Sequence, residues 1–224
     1  MKLFVSLSFD DGWKSAIMSA YPLLEKYRMP ATFYIISDRL TDEHSEYMSP
    51  EDLRVLASHD HELGVHTRSH KHLPDLDDKE LGYEINQGLD DLLVLGFKPR
   101  TFAYPYGDWN PHVVKQVREA GFFAARSIER GMNDERTNHL LLRGNGVRED
   151  HTADDVKGWI REAAKTGGWL ILYFHQIEQA EVLRERKWIY GTTPQVLEEV
   201  LRFLQSEQIP TMTVEKGMEH LLAV

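Results

Sequence analysis

Two groups of residues in this chain combine side chains that hydrolytic chemistry uses. Asp10 and Asp11 follow an apolar run at residues 3–9, and His66 and His70 stand four positions apart. Two imidazoles and one carboxylate are a familiar zinc set, which leaves one coordination position open for water. Two adjacent carboxylates ionise together at little cost only where a cation shares the site. These residue types indicate hydrolysis by metal-activated water.

Each group also has an ordinary structural explanation. Asp10 and Asp11 precede a predicted helix, where a turn and the first helical residues favour aspartate anyway. His66 and His70 stand in a histidine-rich stretch, so both could be surface residues. If the chain is helical after His66, a spacing of four puts both imidazoles on one face. Neither group identifies a site by itself.

Two more segments carry candidate residues at the ends of predicted strands. The most hydrophobic run, residues 169–174, ends in His175, which is either a core histidine or a group at the same rim as the aspartates. Residues 104–107 read Tyr-Pro-Tyr-Gly. This sequence predicts a sharp turn, because proline fixes φ and glycine permits positive φ. Such a turn can direct a backbone N–H into a cleft.

The elements that must position these residues alternate between strands and helices. Strands are predicted at residues 3–9, 31–36, 63–67, 101–104, 122–128, 140–147, 169–174 and 211–214. Helices are predicted at residues 15–27, from Pro50 onward with Ser49 as the cap, and at 78–95, 111–120, 154–165, 194–205 and the C-terminus. Repeated strand–helix units imply parallel strands with right-handed crossovers. About seven such units predict an α/β fold, a distorted (β/α) barrel, with the active site at the carboxyl ends of its strands. No linker-like stretch interrupts the pattern, so a single domain is predicted over residues 1–224.

Composition excludes several classes of protein. Asp and Glu total 36 against 26 Lys and Arg, a net charge of -10. This balance disfavours a nucleic-acid partner and, less strongly, an anionic substrate. Cysteine is absent, which excludes disulfides, thiolate metal ligands and a cysteine nucleophile. No glycine-rich phosphate loop occurs.

The same sequence bears on location. No run is long and apolar enough to span a membrane, and the apolar N-terminal run is too short for a signal peptide. As written, the chain predicts a cytoplasmic protein, although a secreted form trimmed to its mature start would read the same. Nothing in the sequence predicts the oligomeric state.

Four segments taken together resemble the motifs of the polysaccharide deacetylase family, also called the NodB-homology family. They are residues 8–12, residues 66–70 with the preceding 62–64, residues 103–107 and residues 172–175, and they follow the family's order. The resemblance implies a metal-dependent hydrolase of the carbohydrate esterase type. It implies that Asp11, His66 and His70 bind one divalent transition metal, zinc foremost, with cobalt, manganese or nickel as alternatives.

The resemblance also implies roles in the reaction. Asp10 would be the general base, His175 the general acid, and the backbone N–H of Tyr106 would hold the oxyanion. Such groups suit amide hydrolysis, because the water must lose a proton and the leaving amine must gain one. Substrate contacts are predicted for Tyr106, Tyr173, Trp109 and Trp188, whose rings suit the apolar face of a sugar.

Three features depart from the family pattern. Ala103 stands where an arginine usually pairs with the catalytic aspartate, Tyr173 stands where a leucine usually lines the acyl pocket, and the tryptophan expected between residues 123 and 150 is absent. We predict that Arg143 contacts Asp10 instead. It lies in an apolar run, and a buried arginine needs a carboxylate partner. Arg126 is the main alternative, and Arg100 a weaker one.

The function predicted from these features is hydrolysis of an amide C–N bond, with N-deacetylation of a sugar or polysaccharide as the first hypothesis. A second hypothesis is a small non-polymer amide, formamide, ureide or cyclic imide as the substrate. A third is a barrel that binds carbohydrate without catalysis.

Overall fold

Seven short parallel strands form the central sheet in the computed structural model, which describes residues 2–40 and 46–223. Their order across the sheet is β5-β4-β3-β2-β1-β7-β6, so β1 lies between β2 and β7. The strands are β1 (Phe4–Phe9), β2 (Thr32–Ile35), β3 (Glu62–Val65), β4 (Thr101–Ala103), β5 (Ala124–Arg126), β6 (Asn145–Gly146) and β7 (Trp169–Phe174). All six residues of β1 and of β7 are buried, as continuous apolar runs in a parallel sheet predict.

The two edges of this sheet approach each other through residues 139–147. Leu142 bridges to Arg126 in β5, and three residues later Asn145 pairs with Leu172 in β7. The segment changes partner strand near Gly144, so no stretch longer than two residues pairs with one neighbour. The predicted strand at 140–147 is therefore reduced to β6, while the predicted distorted (β/α) barrel of seven parallel strands is confirmed.

Eight α-helices lie in the described ranges of the chain, and most pack on the outside of the sheet. They are α1 (Tyr21–Tyr27), α2 (Pro50–Ala57), α3 (Asp78–Val94), α4 (Pro111–Glu119), α5 (Ala153–Thr166), α6 (Ala180–Arg186), α7 (Pro194–Ser206) and α8 (Val214–Leu222). Short helical turns occur at Ala16–Ala20, Ser37–Arg39, Leu73–Asp75 and Pro105–Gly107. Within these ranges no helix has both the length and the hydropathy needed to cross a bilayer.

The helix starts follow their local sequences. Ser49 caps α2: its hydroxyl accepts the Asp52 N–H, and the Asp52 carboxylate accepts the Ser49 N–H at 2.7 Å. Pro50 occupies the first helical position, where its missing N–H costs nothing. Thr152 and Asp155 form the same reciprocal cap at the start of α5. The predicted start of α2 is confirmed.

Helix α8 closes the barrel at the amino ends of its strands. Its buried residues Val214, Met218 and Leu221 join a cluster with Phe4 and other side chains of the barrel interior, namely Tyr34, Ala103, Ala124, Leu142, Trp169 and Ile171. A Cβ on Gly217 would lie 2.7 Å from the Trp169 ring, so glycine lets α8 rest directly on that indole. With this end covered, the carboxyl rim is the open end of the barrel.

Two predicted elements differ from the structure. The predicted strand at 211–214 is wrong: Thr211 makes one bridge to Val5, and Thr213 caps α8 by accepting the Lys216 N–H at 3.3 Å. The sequence was ambiguous here because Thr213 and Val214 suit a strand as well as a helix cap and the first helical residue. Helix α6 (Ala180–Arg186) lies where no helix was predicted.

Candidate active site

One carboxylate and two imidazoles converge at the carboxyl ends of β1 and β3. Asp11 Oδ1 lies 3.4 Å from Nε2 of His66 and 3.4 Å from Nε2 of His70. Three such donors around one tetrahedral zinc ion are separated by about 3.4 Å, given metal–ligand distances of about 2.1 Å. Asp11 Oδ1 is buried and has no hydrogen-bond partner within the described part of the chain. The donor set and its spacing fit a divalent transition metal.

Neighbouring groups aim one atom of each donor residue at this site. His66 Nδ1 lies 2.7 Å from the Ala103 carbonyl oxygen, to which it donates, so the lone pair of Nε2 faces Asp11. Trp13 Nε1–H donates to Asp11 Oδ2 at 2.8 Å, which leaves Oδ1 for the site. Such outer partners fix the orientation of metal ligands and raise their affinity.

A loop, not a helix, brings the two histidines together. Thr67 and His70 both have left-handed backbone with φ of 64°, so the helical turn considered from the spacing does not form and the imidazoles meet through a loop. Glu84 of α3 holds the loop by accepting the N–H of Ser69 at 2.8 Å and its hydroxyl at 2.5 Å. A Cβ on Gly88 would lie 2.7 Å from the Thr67 carbonyl carbon, so α3 packs directly against the loop backbone.

The electrostatics of the three donors suit metal binding at neutral pH. Burial lowers the pKa of His70 to about 4, with the His66 ring acting in the same direction and Asp11 opposing. Burial tends to raise the pKa of Asp11, but the neighbouring imidazoles of His66, His175 and His70 bring it well below its usual range. His70 is therefore neutral and Asp11 ionised at pH 7, the states in which both bind metals.

The second carboxylate, Asp10, is held by Arg126. Nη2 of Arg126 lies 2.6 Å from Oδ1 and 2.5 Å from Oδ2 of Asp10. The two residues are 3% and 1% exposed. Burial opposes the charge on Arg126, yet the Asp10 carboxylate raises the pKa of the guanidinium, so it stays charged.

The prediction that Arg143 contacts Asp10 is wrong. Leu142 points into the barrel and bridges to Arg126, so the next side chain along the strand, Arg143, points outward and is exposed. Its aliphatic stem lies against Gly131, and its backbone N–H donates to Asn133 Oδ1 at 2.8 Å.

Two departures from the expected family pattern are linked through Arg126. Ala103 in β4 is the direct register partner of Arg126 in β5, so the guanidinium enters from the neighbouring strand at the same level. The Arg126 guanidinium carbon lies 4.5 Å from the ring centre of Tyr173 and 5.4 Å from that of Tyr34. Cation–π contacts of this kind stabilise a buried guanidinium. Tyr173 therefore contacts the arginine that replaces the one missing at position 103.

Asp10, Asp11, His66 and His70 line a cleft of about 330 Å³ at the carboxyl rim. The other lining residues are Trp13, Tyr104, Tyr106, Gly107, Ile128, Arg148, Tyr173, His175, Gln176 and Tyr190. His175 follows β7 and is half-buried, with its ring 5.5 Å from that of Tyr190. The structure thus gathers the predicted metal, acid–base and oxyanion candidates in one place, and their roles stay predictions.

The turn after β4 has the geometry predicted for presenting an N–H. Tyr106 has φ of 58°, a left-handed conformation that is uncommon outside glycine and clusters at functional sites. The turn's hydrogen bonds come from the N–H groups of Gly107 and Asp108, not from that of Tyr106. A Cβ on Gly107 would lie 2.2 Å from Ile128 Cγ1, so this position requires glycine.

Of the aromatic residues predicted to contact substrate, Tyr106 and Tyr173 line the cleft. Trp109 and Trp188 are outside the lining found in the described residues. Trp109 packs against the core, and Trp188 meets the cleft only through Trp13, with 5.3 Å between ring centres. Sequence reasoning gave no role to Arg148, because an isolated arginine in a loop carries no motif.

Comparison with known proteins relates the chain to deacetylases. The polysaccharide deacetylase family profile matches residues 2–125, more than half of the chain. A putative polysaccharide deacetylase of Bacillus subtilis, YxkH, is 28% identical over 129 residues, covering 57% of this chain and 45% of that protein. The poly-beta-1,6-N-acetyl-D-glucosamine N-deacetylase of Staphylococcus aureus is 25% identical over 172 residues, covering 70% and 59%. The chain therefore spans about half the length of these relatives.

The fold has a solved counterpart. The Xyl-CE4 domain of a multidomain xylanase from the hindgut metagenome of Trinervitermes trinervoides superposes with a TM-score of 0.69. The match covers 98% of this chain and 91% of that domain at 15% sequence identity. At this identity the likeness establishes the barrel architecture alone.

Proposed function

This chain belongs to the polysaccharide deacetylase family, and from that premise we propose that it hydrolyses the N-acetyl group of an N-acetylated sugar. One observation carries the proposal: a donor set that fits a metal, a carboxylate held by a buried arginine, and a histidine all face one cleft. The name of the Staphylococcus aureus relative, an N-deacetylase of a poly-N-acetylglucosamine, supports the amide of an acetylated sugar as the bond broken.

Asp11, His66 and His70 would hold a divalent transition metal, zinc foremost. Bound there, such an ion supplies Lewis acidity that polarises an amide carbonyl and lowers the pKa of water. The chain prepares the site in advance, since Ala103 and Trp13 orient the ligands through hydrogen bonds. One oxygen of Asp11, Oδ1, is the common neighbour of the two imidazoles.

Asp10 is the candidate base that takes the proton of the attacking water. Its Arg126 partner fixes the carboxylate through charge-assisted contacts from Nη2 to both oxygens. The pair is buried below the cleft floor while Asp10 still lines it. A general base of this kind contributes about 10²–10⁴-fold to a rate.

The remaining two groups act on the substrate. The Tyr106 N–H donates to the oxygen of the former carbonyl as it gains negative charge, a contact whose loss typically costs about 3 kcal/mol. His175 gives a proton to the leaving nitrogen, because an amine leaves readily only when it is protonated. Both residues line the cleft with Asp10.

The test is acetate release by purified protein, first stripped of metal and then loaded with zinc or cobalt. We expect equal amounts of acetate and free amine from N-acetylglucosamine oligomers. Acetylated xylan, formamides, ureides and cyclic imides form the comparison panel. Turnover of a small amide without any release from N-acetyl sugars would contradict the proposal.

Two variants separate the carboxylates in the same assay. Asp10→Asn is expected to keep the metal and lose about 10²-fold or more in kcat. Asp11→Asn is expected to lose the metal. The opposite pattern of metal content would show that the two roles are exchanged.

A further inference from the structure

We propose that Arg148 makes the cleft selective for N-acetylated sugars that carry a carboxylate close to the amide. This inference rests on the proposed function and adds to it a class of substrate. Arg148 follows β6 at the carboxyl rim and lines the cleft together with His175, Tyr173 and Tyr190.

Two aromatic residues hold the Arg148 guanidinium at the cleft wall. Its carbon lies 5.0 Å from the ring centre of Tyr190. Its positive charge also acts on Tyr173, where it opposes the rise in the pKa of the hydroxyl that burial causes. The Tyr173 hydroxyl in turn lies over Gly146, where a Cβ would approach it to 2.6 Å. A guanidinium kept in place by stacking loses less conformational freedom when it binds an anion.

Arg148 is the cleft cation left without a countercharge. Asp10 is paired with Arg126, and Asp11 lies between two imidazoles at a site that fits a metal. No carboxylate forms an ion pair with Arg148 among the residues that the structure describes. Since the metal would add further positive charge, the occupied cleft favours a substrate that brings a negative one.

A carboxylate suits this arrangement better than a phosphate. One guanidinium can bind one carboxylate through two parallel hydrogen bonds. Among the residues that the structure describes, the lining contains no lysine and no second arginine that a doubly charged phosphate would call for. Tyr106 and Tyr190, which are 48% and 47% exposed, offer aromatic surface for sugar rings beside the charge.

The net charge of -10 does not oppose this selectivity. Net charge governs long-range attraction and is screened over about 8 Å at physiological ionic strength. A contact inside the cleft acts at much shorter range. Arg148 would therefore select among bound substrates without drawing polyanions to the protein from a distance.

The experiment compares three oligosaccharides on the metal-loaded protein. One is neutral, an oligomer of N-acetylglucosamine. The second contains N-acetylmuramic acid, with the carboxylate on the ring that bears the amide. The third alternates N-acetylglucosamine with glucuronate, with the carboxylate on the neighbouring ring. We expect one of the two carboxylate-bearing substrates to have a higher kcat/KM than the neutral oligomer. Which of the two is preferred shows whether Arg148 contacts a carboxylate on the ring that bears the amide or on the neighbouring ring.

Variants then assign the preference to Arg148. Arg148→Gln is expected to lower kcat/KM for the preferred substrate about 10- to 100-fold, the range for a hydrogen bond to a charged group, and less than 3-fold for the neutral one. Arg148→Lys should restore part of the preference. The matched control is Arg143→Gln, an exposed arginine outside the cleft, which should change neither.

Three results would overturn the inference. They are a wild type that prefers the neutral oligomer, an Arg148→Gln variant that slows all three substrates equally, and one that keeps the preference intact. The first leaves N-deacetylation standing, so the two proposals fail separately. If no sugar is deacetylated, calorimetric binding of the same oligosaccharides to Asp10→Asn and Asp10→Asn/Arg148→Gln proteins decides the matter: equal affinities refute the inference.

Discussion

Arg126 donates through a single nitrogen to both carboxylate oxygens of Asp10, at 2.6 and 2.5 Å, inside a barrel that excludes water from both side chains. Removing one member of a buried ion pair leaves the other charged and without a partner. This pair therefore contributes to folding and, if Asp10 is the base, to the reaction.

Replacement of Arg126 should affect stability and pH dependence together. Arg126→Met is expected to reduce the free energy of unfolding by about 3–5 kcal/mol, because Asp10 is left buried without a cation. In protein that folds, the acid limb of the kcat/KM profile should move to higher pH. Urea unfolding and a pH–rate series measure both effects.

Arg126→Lys tests the same pair with the charge retained. A lysine cannot reproduce the planar guanidinium, so kcat should fall while the acid limb stays near its wild-type position. Arg143→Met is the control and should stay within about 0.5 kcal/mol of wild type, as exposed positions usually do. An Arg126→Met protein with unchanged stability and pH profile would show that the contact has no role.

Loss of the Trp13 donor should weaken metal binding without removing a ligand. Trp13→Phe keeps an aromatic ring but removes the indole N–H, so Asp11 Oδ2 loses its 2.8 Å hydrogen bond. Outer partners of metal ligands typically change affinity about 10- to 100-fold. Calorimetric titration of zinc into metal-free protein measures the effect. Trp188→Phe, which leaves the Trp13–Asp11 bond in place, should bind zinc as the wild type does.

Two glycines on one helix should respond to alanine in opposite ways. Gly88→Ala would place a methyl group 2.7 Å from the Thr67 carbonyl carbon, so α3 or the His66–His70 loop must shift. We expect a loss of about 1–3 kcal/mol in unfolding free energy, with weaker zinc binding. Gly82→Ala on the same helix meets only Asn86 Nδ2 at 3.8 Å and should gain about 0.5–1 kcal/mol. Equal changes in the two variants would refute the packing argument.

The carboxyl of Glu62 should make stability depend on pH at the closed end of the barrel. Burial raises its pKa, although it accepts hydrogen bonds from Thr101, Thr32 and the Glu215 N–H. A raised pKa gives stability that is complete below the unfolded value of about 4.5 and is lost as pH rises through the folded value. Relative to wild type, Glu62→Gln should thus gain stability as pH rises from 4 to 8. Urea melts across this range test it, with exposed Glu207→Gln as the flat control.

Long buried strands were predictable from sequence, and the segment that changes partners was not. β7 (Trp169–Phe174) has the predicted bounds because each residue is apolar and both faces are covered. Residues 140–147 pair first with β5 and then with β7, and no local pattern signals such a change. The same segment explains why the Arg143 prediction is wrong: Leu142 joins the interior cluster of the barrel, and the next side chain, Arg143, is exposed on the opposite side.

The histidine pair shows a second limit. His66 and His70 were identified from their types and their strand-end position, but the backbone that joins them could not be predicted. The loop between them depends on left-handed backbone at Thr67 and His70. Because neither residue is a glycine, the sequence carries no signal for this turn. Their backbone is stabilised from α3 by Glu84, a contact between residues 15 positions apart.

The register that sets Ala103 beside Arg126 has a consequence for how such proteins are compared. Register partners on neighbouring parallel strands, such as Ala103 and Arg126, place their side chains at the same level of the barrel. A residue-by-residue comparison of the motif at 103–107 finds that this chain lacks an arginine. A comparison of the structures finds a guanidinium, that of Arg126, beside the same aspartate. The double substitution Ala103→Arg/Arg126→Ala moves the arginine from β5 to β4. It tests whether the reaction depends on the strand that carries the arginine or only on the position of the guanidinium beside Asp10.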